Sequence, residues 1–300
     1  MLSVVQPCQI LSTTRAARSS LSPLLAWQRR SFCSSLPRYS TVKKVDLSSQ
    51  KNDYIAVNVV NDASIRAIPS SDLEVYPDFL SSDEQRVLLS AALKKLDSMA
   101  SRDERKRRRE WNKANKGKVA DSALKSFLPD EVYDFEKQHF DGGEYYSVPE
   151  STLSEWPPFE SSDYNETLAS LLQRTYALLL GPDFKSDNPL RTPSKLLAHL
   201  LHLSSSGYIL PHVDNIEASA GTILGLCLGS ERFLVLTNTV AGRTSDQIRV
   251  RLPPGCAYIQ RGEIRYKWKH EIPAARSNDP AQAGQRLSVM IRDRLSQDAA

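Results

Sequence analysis

Long hydrophobic runs are missing from this chain of 300 residues. No stretch approaches the ~18–20 uninterrupted apolar residues of a membrane-spanning helix, which excludes an integral helical membrane protein. Cysteine is scarce. Cys8, Cys33, Cys227 and Cys256 form no C-x-x-C pair, which excludes a disulfide-dense scaffold and the usual structural zinc spacings. Internal repeats and low-complexity tracts are absent from the region beyond residue 42. What is present is ordinary for a globular chain: 40% hydrophobic and 25% charged residues, at a length that can bury a full core.

Acid is missing from the first 44 residues; the first acidic residue is Asp46. The same segment holds Arg15, Arg18, Arg29, Arg30, Arg38, Lys43 and Lys44, with twelve Ser/Thr. The remainder has 32 basic against 35 acidic residues, so the net charge of +4 is a property of the N-terminal segment. An Arg-rich, Ser-rich, acid-free leader predicts an organelle transit peptide over residues 1–42. Arg30-Ser31-Phe32 with Ser35 downstream resembles a two-step mitochondrial cleavage pattern ending before Ser40. No compact apolar core follows an early basic patch, which argues against a secretory signal. The alternative is a disordered basic arm.

A second basic tract runs from Arg102 to Lys118, with nine basic and three acidic residues around Trp111. Such a tract can contact a phosphate backbone, and its aromatic can stack on a base. A solvated helix face or a mobile loop is the plainer reading. The balance of the mature chain is slightly acidic, against broad nucleic-acid affinity.

Residues 43–74 read as a connector with one β-prone run, Ile55 to Val60. Ser81 and Glu84 form a capping-box pattern. Leu88, Leu89, Ala92, Leu93 and Leu96 then recur at helical spacing, predicting a helix over 82–97. Residues 100–160 read as polar and irregular. A second helix is expected from Asp163, with Glu166 as reciprocal cap, Leu168, Leu171, Leu172, Thr175 and Leu179 as its apolar stripe, and Gly181-Pro182 as its stop. Beyond Pro193 short β-rich runs follow one another: Lys195–Leu203, Thr222–Leu228, Arg232–Asn238, Gln247–Leu252, Ala257–Arg261, Ile264–His270 and Arg286–Arg292. Their close spacing predicts a sandwich, barrel or jelly roll.

His212-Val213-Asp214 follows the Gly207-Tyr208 turn. In an extended segment an H-x-D puts both side chains on one face. His270, ending a predicted strand, can add a third ligand. Two His and one carboxylate with open positions form the facial triad of non-haem Fe(II) oxygenases. The triplet alone is weak evidence, since ordinary turn and strand residues produce it by chance. Arg286 and Arg292 share one strand face with Ser288 and Met290. Arginine directed into a β-core needs an anionic partner. A dicarboxylate co-substrate would supply one through bidentate bonds; internal salt bridges are the alternative. His199 and His202 lie three apart in a strand, face opposite sides and form no ligand pair. His139 has no partner motif. Cys227 and Cys256 read as small buried hydrophobes, and Trp156 and Trp268 as packing. Asn215 and Glu217 are candidates for orienting ligands or substrate.

The H-x-D, distal His and R-x5-R order resembles the AlkB-type Fe(II)/2-oxoglutarate dioxygenases, and within them the mitochondrial AlkB homologue 7 branch. The likeness rests on GYILPHVDNIEASAGTILGLCLGS (207–230), LPPGCAYIQRGEIRYKWKHEI (252–272) and QRLSVMIR (285–292), and more weakly on VYPDFLSSDEQRVLL (75–89). It implies an α+β, mainly β fold, a double-stranded β-helix buttressed by N-terminal helices, over residues 75–295. A tail, 296–300, would follow, and 102–118 would be an insert. It further implies Fe(II) held by His212, Asp214 and His270, with 2-oxoglutarate and O2 as co-substrates. Arg286 would pair with the distal carboxylate of 2-oxoglutarate. Tyr258 would hydrogen-bond the co-substrate, and Arg292 would line its metal-chelating end. Ser288 and Met290 stand where Asn and Thr are usual, a departure that bears on a nucleic-acid-demethylating pocket. The expected protein is a monomeric dioxygenase of the mitochondrial matrix, with no membrane span. It would hydroxylate or demethylate a protein or small molecule, and the branch is linked to programmed necrosis and fatty-acid metabolism. Two other readings stand beside it: an RNA N-demethylase using Arg102–Lys118, and a catalytically idle partner-binding protein.

Overall fold

Alternation along the strands sorts side chains into two cores. The computed structural model describes residues 43–49, 52–58, 67–116, 124–133, 135–137, 144–147, 154–217, 219–238, 246–276 and 279–295. The expected transit segment, His139, Lys118 and the tail lie outside the described residues.

The N-terminal half begins with strands β1 (Val45–Asp46), β2 (Ile55–Asn58) and β3 (Leu73–Tyr76). Helix α1 (Ser82–Met99) follows, then α2 (Arg102–Ala114). Two short strands, β4 (Glu136–Lys137) and β5 (Glu144–Ser147), precede α3 (Ser162–Leu180). The C-terminal half contributes β6 (Leu196–Leu203), β7 (Ile209–His212), β8 (Thr222–Gly229), β9 (Arg232–Asn238) and β10 (Asp246–Leu252). It ends with β11 (Ala257–Arg261), the short α4 (Gly262–Lys267), β12 (Lys269–Ile272) and β13 (Arg286–Asp293).

The strands form a major sheet, β1-β3-β11-β8-β13-β6-β5-β4, and a minor sheet, β2-β10-β9-β12-β7. All paired strands are antiparallel. This is the expected jelly-roll architecture, mainly β with helices on one face. On the major sheet Leu200, Leu224, Leu226, Leu287, Val289 and Ile291 face the helices and pack on Leu88, Leu96, Leu168 and Leu172. On the other face of that sheet, Leu203, Ile223, Cys227, Tyr258 and Met290 meet the minor sheet's Leu234, Leu236, Ile248 and Val250. A sheet buried on both sides explains why six consecutive residues of β13 are buried. The minor sheet has water on its outer side, and β10 alternates buried and half-buried along its length.

Helix α1 carries the expected capping box: Glu84 N–H donates to Ser81 Oγ at 3.3 Å and Ser81 N–H to Glu84 Oε2 at 2.9 Å. Arg174 ties α3 to α1 through Glu84 at 2.9 Å, while lying over the Phe79 ring.

Four expectations change. The connector 43–74 supplies strands to both sheets, with β2 on β10 and β3 on β11. The irregular stretch 100–160 contains α2, capped by the same Ser-x-x-Glu device at Ser101 and Glu104. Helix α3 has no side-chain cap from Glu166; instead Asn165 accepts from Phe159 N–H at 2.8 Å and donates to the Phe159 carbonyl. Finally, the strand expected over Ile264–His270 is a helical turn followed by β12. Gly262 adopts φ +49°, which ends β11. The buried Asp72 then accepts the Glu263 N–H at 2.8 Å, fixing the first helical turn. Ile264 and Trp268 keep their buried positions, so alternation in sequence concealed a helix.

Candidate functional site

Sheet register brings the two histidines together. Strand β12 pairs with β7 so that His270 lies directly opposite His212. Their rings are 4.3 Å apart between centroids. Asp214 leaves β7 two residues after His212 and turns its carboxylate back between them. Its Oδ1 lies 3.4 Å from His212 Nε2 and 3.6 Å from His270 Nε2. One donor atom from each of the three residues falls within 4.8 Å of the others.

The protonation states suit a metal. His212 Nδ1 lies 2.8 Å from the Leu210 carbonyl. A carbonyl only accepts, so Nδ1 carries the proton and Nε2 presents its lone pair. Burial pushes the His270 imidazole down to about 4, more than Asp214 pulls it up. Burial alone would raise the Asp214 carboxyl, but its contacts with the two imidazoles and with the Arg292 guanidinium hold it well below the usual carboxylate range. Two imidazoles presenting Nε2 and an ionised carboxylate are the donor set of a facial-triad Fe(II) site, so the residues present fit the metal. Arg292 Nη2 takes the other carboxylate oxygen at 2.9 Å, leaving Oδ1 free to point at the imidazoles.

The triad opens on a cavity of about 190 Å³ that Arg286, Arg292 and Tyr258 also line. The structure therefore gathers all six candidate residues in one place. A larger groove of about 530 Å³, by Asn188, Arg191 and Arg294, contains none of them; convergent donors, not size, locate the chemistry. Strand β13 directs Arg286, Ser288, Met290 and Arg292 into the cavity. Its register sets Met290 opposite His199 on one side and Gly225 on the other, and Gly225 in turn opposite Tyr258. A Cβ on Gly225 would collide with the Tyr258 ring, so glycine lets that ring lie over β8. Tyr258 Oη contacts Met290 Sδ at 3.6 Å.

Arg286 is 1% exposed, yet no carboxylate pairs with it among the described residues. Its Nη2 donates to Cys227 Sγ at 3.0 Å, and its Nε has no partner. An arginine so buried is costly unless an anion arrives.

Three residues escaped the sequence reading. His199, set aside there, lines the cavity. Cys227, expected as a small hydrophobe, is the partner of Arg286. Arg265, 2% exposed, donates to the carbonyls of Asp214 at 3.1 Å and Asn215 at 3.3 Å and to Ser219 Oγ at 3.2 Å. It thereby fixes the loop that carries Asp214. A charged residue between Ile264 and Trp268 was the available signal. Asn215 and Glu217 are exposed; Asn215 Oδ1 accepts the Glu217 N–H at 2.9 Å, closing the turn.

The Arg102–Lys118 tract is helical over α2. Arg108 is buried, ion-paired with Asp97 and with Glu104 and stacked over Tyr133. Arg102, Arg105, Lys106, Arg109 and Lys113 are exposed. Among the described residues no helix is long and apolar enough to cross a membrane.

The sequence profile of the 2OG-Fe(II) oxygenase superfamily matches residues 72–292. Mitochondrial alpha-ketoglutarate-dependent dioxygenase alkB homolog 7 from Mus musculus is 33% identical over 137 residues, 44% of this chain and 58% of that protein. The Bos taurus protein of the same name is 36% identical over 115 residues, 38% and 47% of the two chains. The match thus spans about half the length of these relatives. A solved Pseudomonas putida prolyl-4-hydroxylase shares 15% identity at a TM-score of 0.37, covering 75% of this chain and 93% of its own.

Proposed function

The chain belongs to the 2OG-Fe(II) oxygenase superfamily, and from that membership we propose that it is a mitochondrial Fe(II)/2-oxoglutarate-dependent dioxygenase acting on a protein or small molecule. The observation that carries this reading is a buried arginine without a carboxylate partner among the described residues, facing the same cavity as three convergent metal donors. His212, Asp214 and His270 hold Fe(II). When bound, the metal supplies activation of dioxygen, coupled to conversion of 2-oxoglutarate to succinate and CO2 and to oxidation of a substrate C–H bond. Arg286 receives the distal carboxylate of 2-oxoglutarate, and Tyr258 Oη turns from Met290 to hydrogen-bond it. Arg292 holds Asp214 in its one-oxygen posture and lines the metal-chelating end. The Leu210 carbonyl keeps His212 in the ligating tautomer. Ile209, Leu234 and Ile272 form apolar walls that limit water.

The acid-free leader and the names of the relatives support a mitochondrial, matrix address. The domain would run over 75–295 after a transit segment, as a monomer, with roles in programmed necrosis and fatty-acid metabolism following the branch. The test is succinate production. Residues 43–300, loaded anaerobically with Fe(II) and then given 2-oxoglutarate and air, form succinate slowly without added substrate. His212→Ala and Arg286→Ala do not. Absence of metal binding and of succinate in the wild type would sink the reading and favour a partner-binding protein.

One observation favours a second reading of the substrate. The exposed arginines of α2 are held on a folded helix by Arg108, as an RNA N-demethylase would need for phosphate contacts.

A further inference from the structure

We propose that Cys227 is a positioning residue for the co-substrate: its sulfur is the resident anion of Arg286, displaced from the guanidinium when a carboxylate arrives. The inference rests on the reading that Arg286 receives 2-oxoglutarate. It deepens that reading by naming what holds the arginine beforehand and what proton moves when it is released.

The geometry carries it. Cys227 on β8 and Arg286 on β13 are 1% exposed each, and among the described residues Sγ is the partner that the guanidinium finds, at 3.0 Å. A buried guanidinium without an anion is costly, so the sulfur satisfies it best as thiolate. Cys256 stands beside Cys227 across the strand pair: Cys227 N–H donates to the Cys256 carbonyl at 3.0 Å, and Gly255 N–H to the Cys227 carbonyl at 2.7 Å. Its thiol hydrogen-bonds the Cys227 sulfur and stays protonated, raised by burial and by that bond. Burial pushes the Cys227 thiol up, but the Cys256 hydrogen bond and the Arg286 charge outweigh it and bring it down to about 6. Among the described residues Tyr258 from β11 also faces this sulfur, kept neutral by burial. Glu231, in the turn between β8 and β9, acts on Cys256, and the Arg286 charge acts on Arg232 at the start of β9. The minor sheet meets this core with apolar residues such as Leu234 and Leu252.

A carboxylate taking the guanidinium leaves a thiolate beside a second negative charge in a dry core. The thiolate then takes one proton from solvent and becomes a thiol; no electron moves. Binding of 2-oxoglutarate is therefore linked to uptake of one proton, and affinity falls as pH rises above the thiol's co-substrate-free value.

The experiment uses protein loaded with Fe(II) under nitrogen, so that no turnover occurs, and titrates 2-oxoglutarate calorimetrically from pH 6.5 to 8.5. Buffers of different ionisation enthalpy report protons taken up. The expected wild-type result is a Kd that rises about tenfold per pH unit, close to one proton taken up, and loss of thiolate ultraviolet absorbance on binding. Cys227→Ser binds without proton uptake, with a flat profile and tighter Kd at pH 8.5. Cys256→Ala moves the onset of the slope to higher pH. A wild-type Kd that is flat with pH and shows no proton uptake overturns the proposal, and this needs no variant to fold. The parent reading fails separately, and takes the proposal with it, if Arg286→Ala binds 2-oxoglutarate as tightly as wild type.

Discussion

The two arginines of β13 point into one cavity and meet opposite fates. Arg292 lies 2.9 Å from a carboxylate oxygen of Asp214 and has its charge matched within the fold. Arg286, six residues earlier on the same face, is more deeply buried and among the described residues finds only a sulfur. Burial alone therefore does not mark a ligand-binding charge; burial without an ionised carboxylate partner does. Arg292 belongs to the metal end, where it orients a ligand. Arg286 belongs to the far end, where it waits for one.

The most severe way to break this comparison is to remove the metal end. Asp214→Ala deletes a ligand and leaves the Arg292 charge half-buried. Iron binding and succinate formation should fall to background, read by metal analysis and by succinate assay. Retained iron would show that the convergence of His212, Asp214 and His270 is structural only.

The next test separates the two arginines. Arg286→Ala removes a bidentate carboxylate site; charge-assisted bonds contribute about 1.5–3 kcal/mol each, so the Kd for 2-oxoglutarate should rise about a hundredfold with iron affinity unchanged. Arg292→Ala should invert the pattern. Losing a group that orients a metal ligand costs about 10–100-fold in metal affinity, and the Kd for 2-oxoglutarate of iron-saturated protein should move less. Equal effects on both ligands from both variants would erase the distinction drawn above.

The same contrast measures what the sequence made legible. The strand pattern after Pro193 and the H-x-D spacing expose the β-core and the metal end, because period-two alternation reports which face a residue joins. The joining of His212 to His270 rests on register between β7 and β12, which spacing does not encode. The far end was less legible. Cys227 reads as a hydrophobe by residue type, and its role exists only because β8 and β13 pair with Ser288 opposite it. The stretch before Pro193 failed for a different reason. Helix α2 carries the same Ser-x-x-Glu cap as α1, but only Glu104 and Arg108 are buried on it, so it has no apolar stripe. The turn at α4 was hidden by residues that alternate yet answer to Gly262 and Asp72.

A smaller effect sits on the helix-facing side of the major sheet, on β6 beside β13. His202 is 1% exposed, ringed by Phe127, Tyr133 and Phe135, and bonded at 2.9 Å to Gln285, the residue before Arg286. Burial pushes its imidazole down from 6.5 to about 4. The folded state thus resists a proton that the unfolded chain accepts. Its stabilising contribution is complete above about pH 6.5 and is lost as pH falls toward 4, by about 3 kcal/mol in all. Denaturant unfolding of wild type from pH 7 to 4.5 should show this decline. His202→Phe should flatten it by about 2 kcal/mol, the remainder coming from groups such as His270. An unchanged slope would remove His202 from the acid response.

The mildest expected effect concerns the basic helix, where the comparison recurs between a buried, ion-paired arginine and exposed ones. Arg108 is buried against Asp97 and Glu104, so reversing its charge would break a buried network, at a cost of about 3–5 kcal/mol. Loss of RNA binding would then be indistinguishable from local unfolding. The informative variant reverses Arg102, Arg105 and Arg109, which are exposed. Succinate formation without added substrate should be unchanged, because none of the three lines the cavity. If this helix grips single-stranded RNA, each lost phosphate contact should shallow the log K against log salt slope by about 0.7, so three should take away about 2. An RNA affinity whose salt slope is untouched by the reversal would separate α2 from substrate binding and leave the protein or small-molecule reading alone.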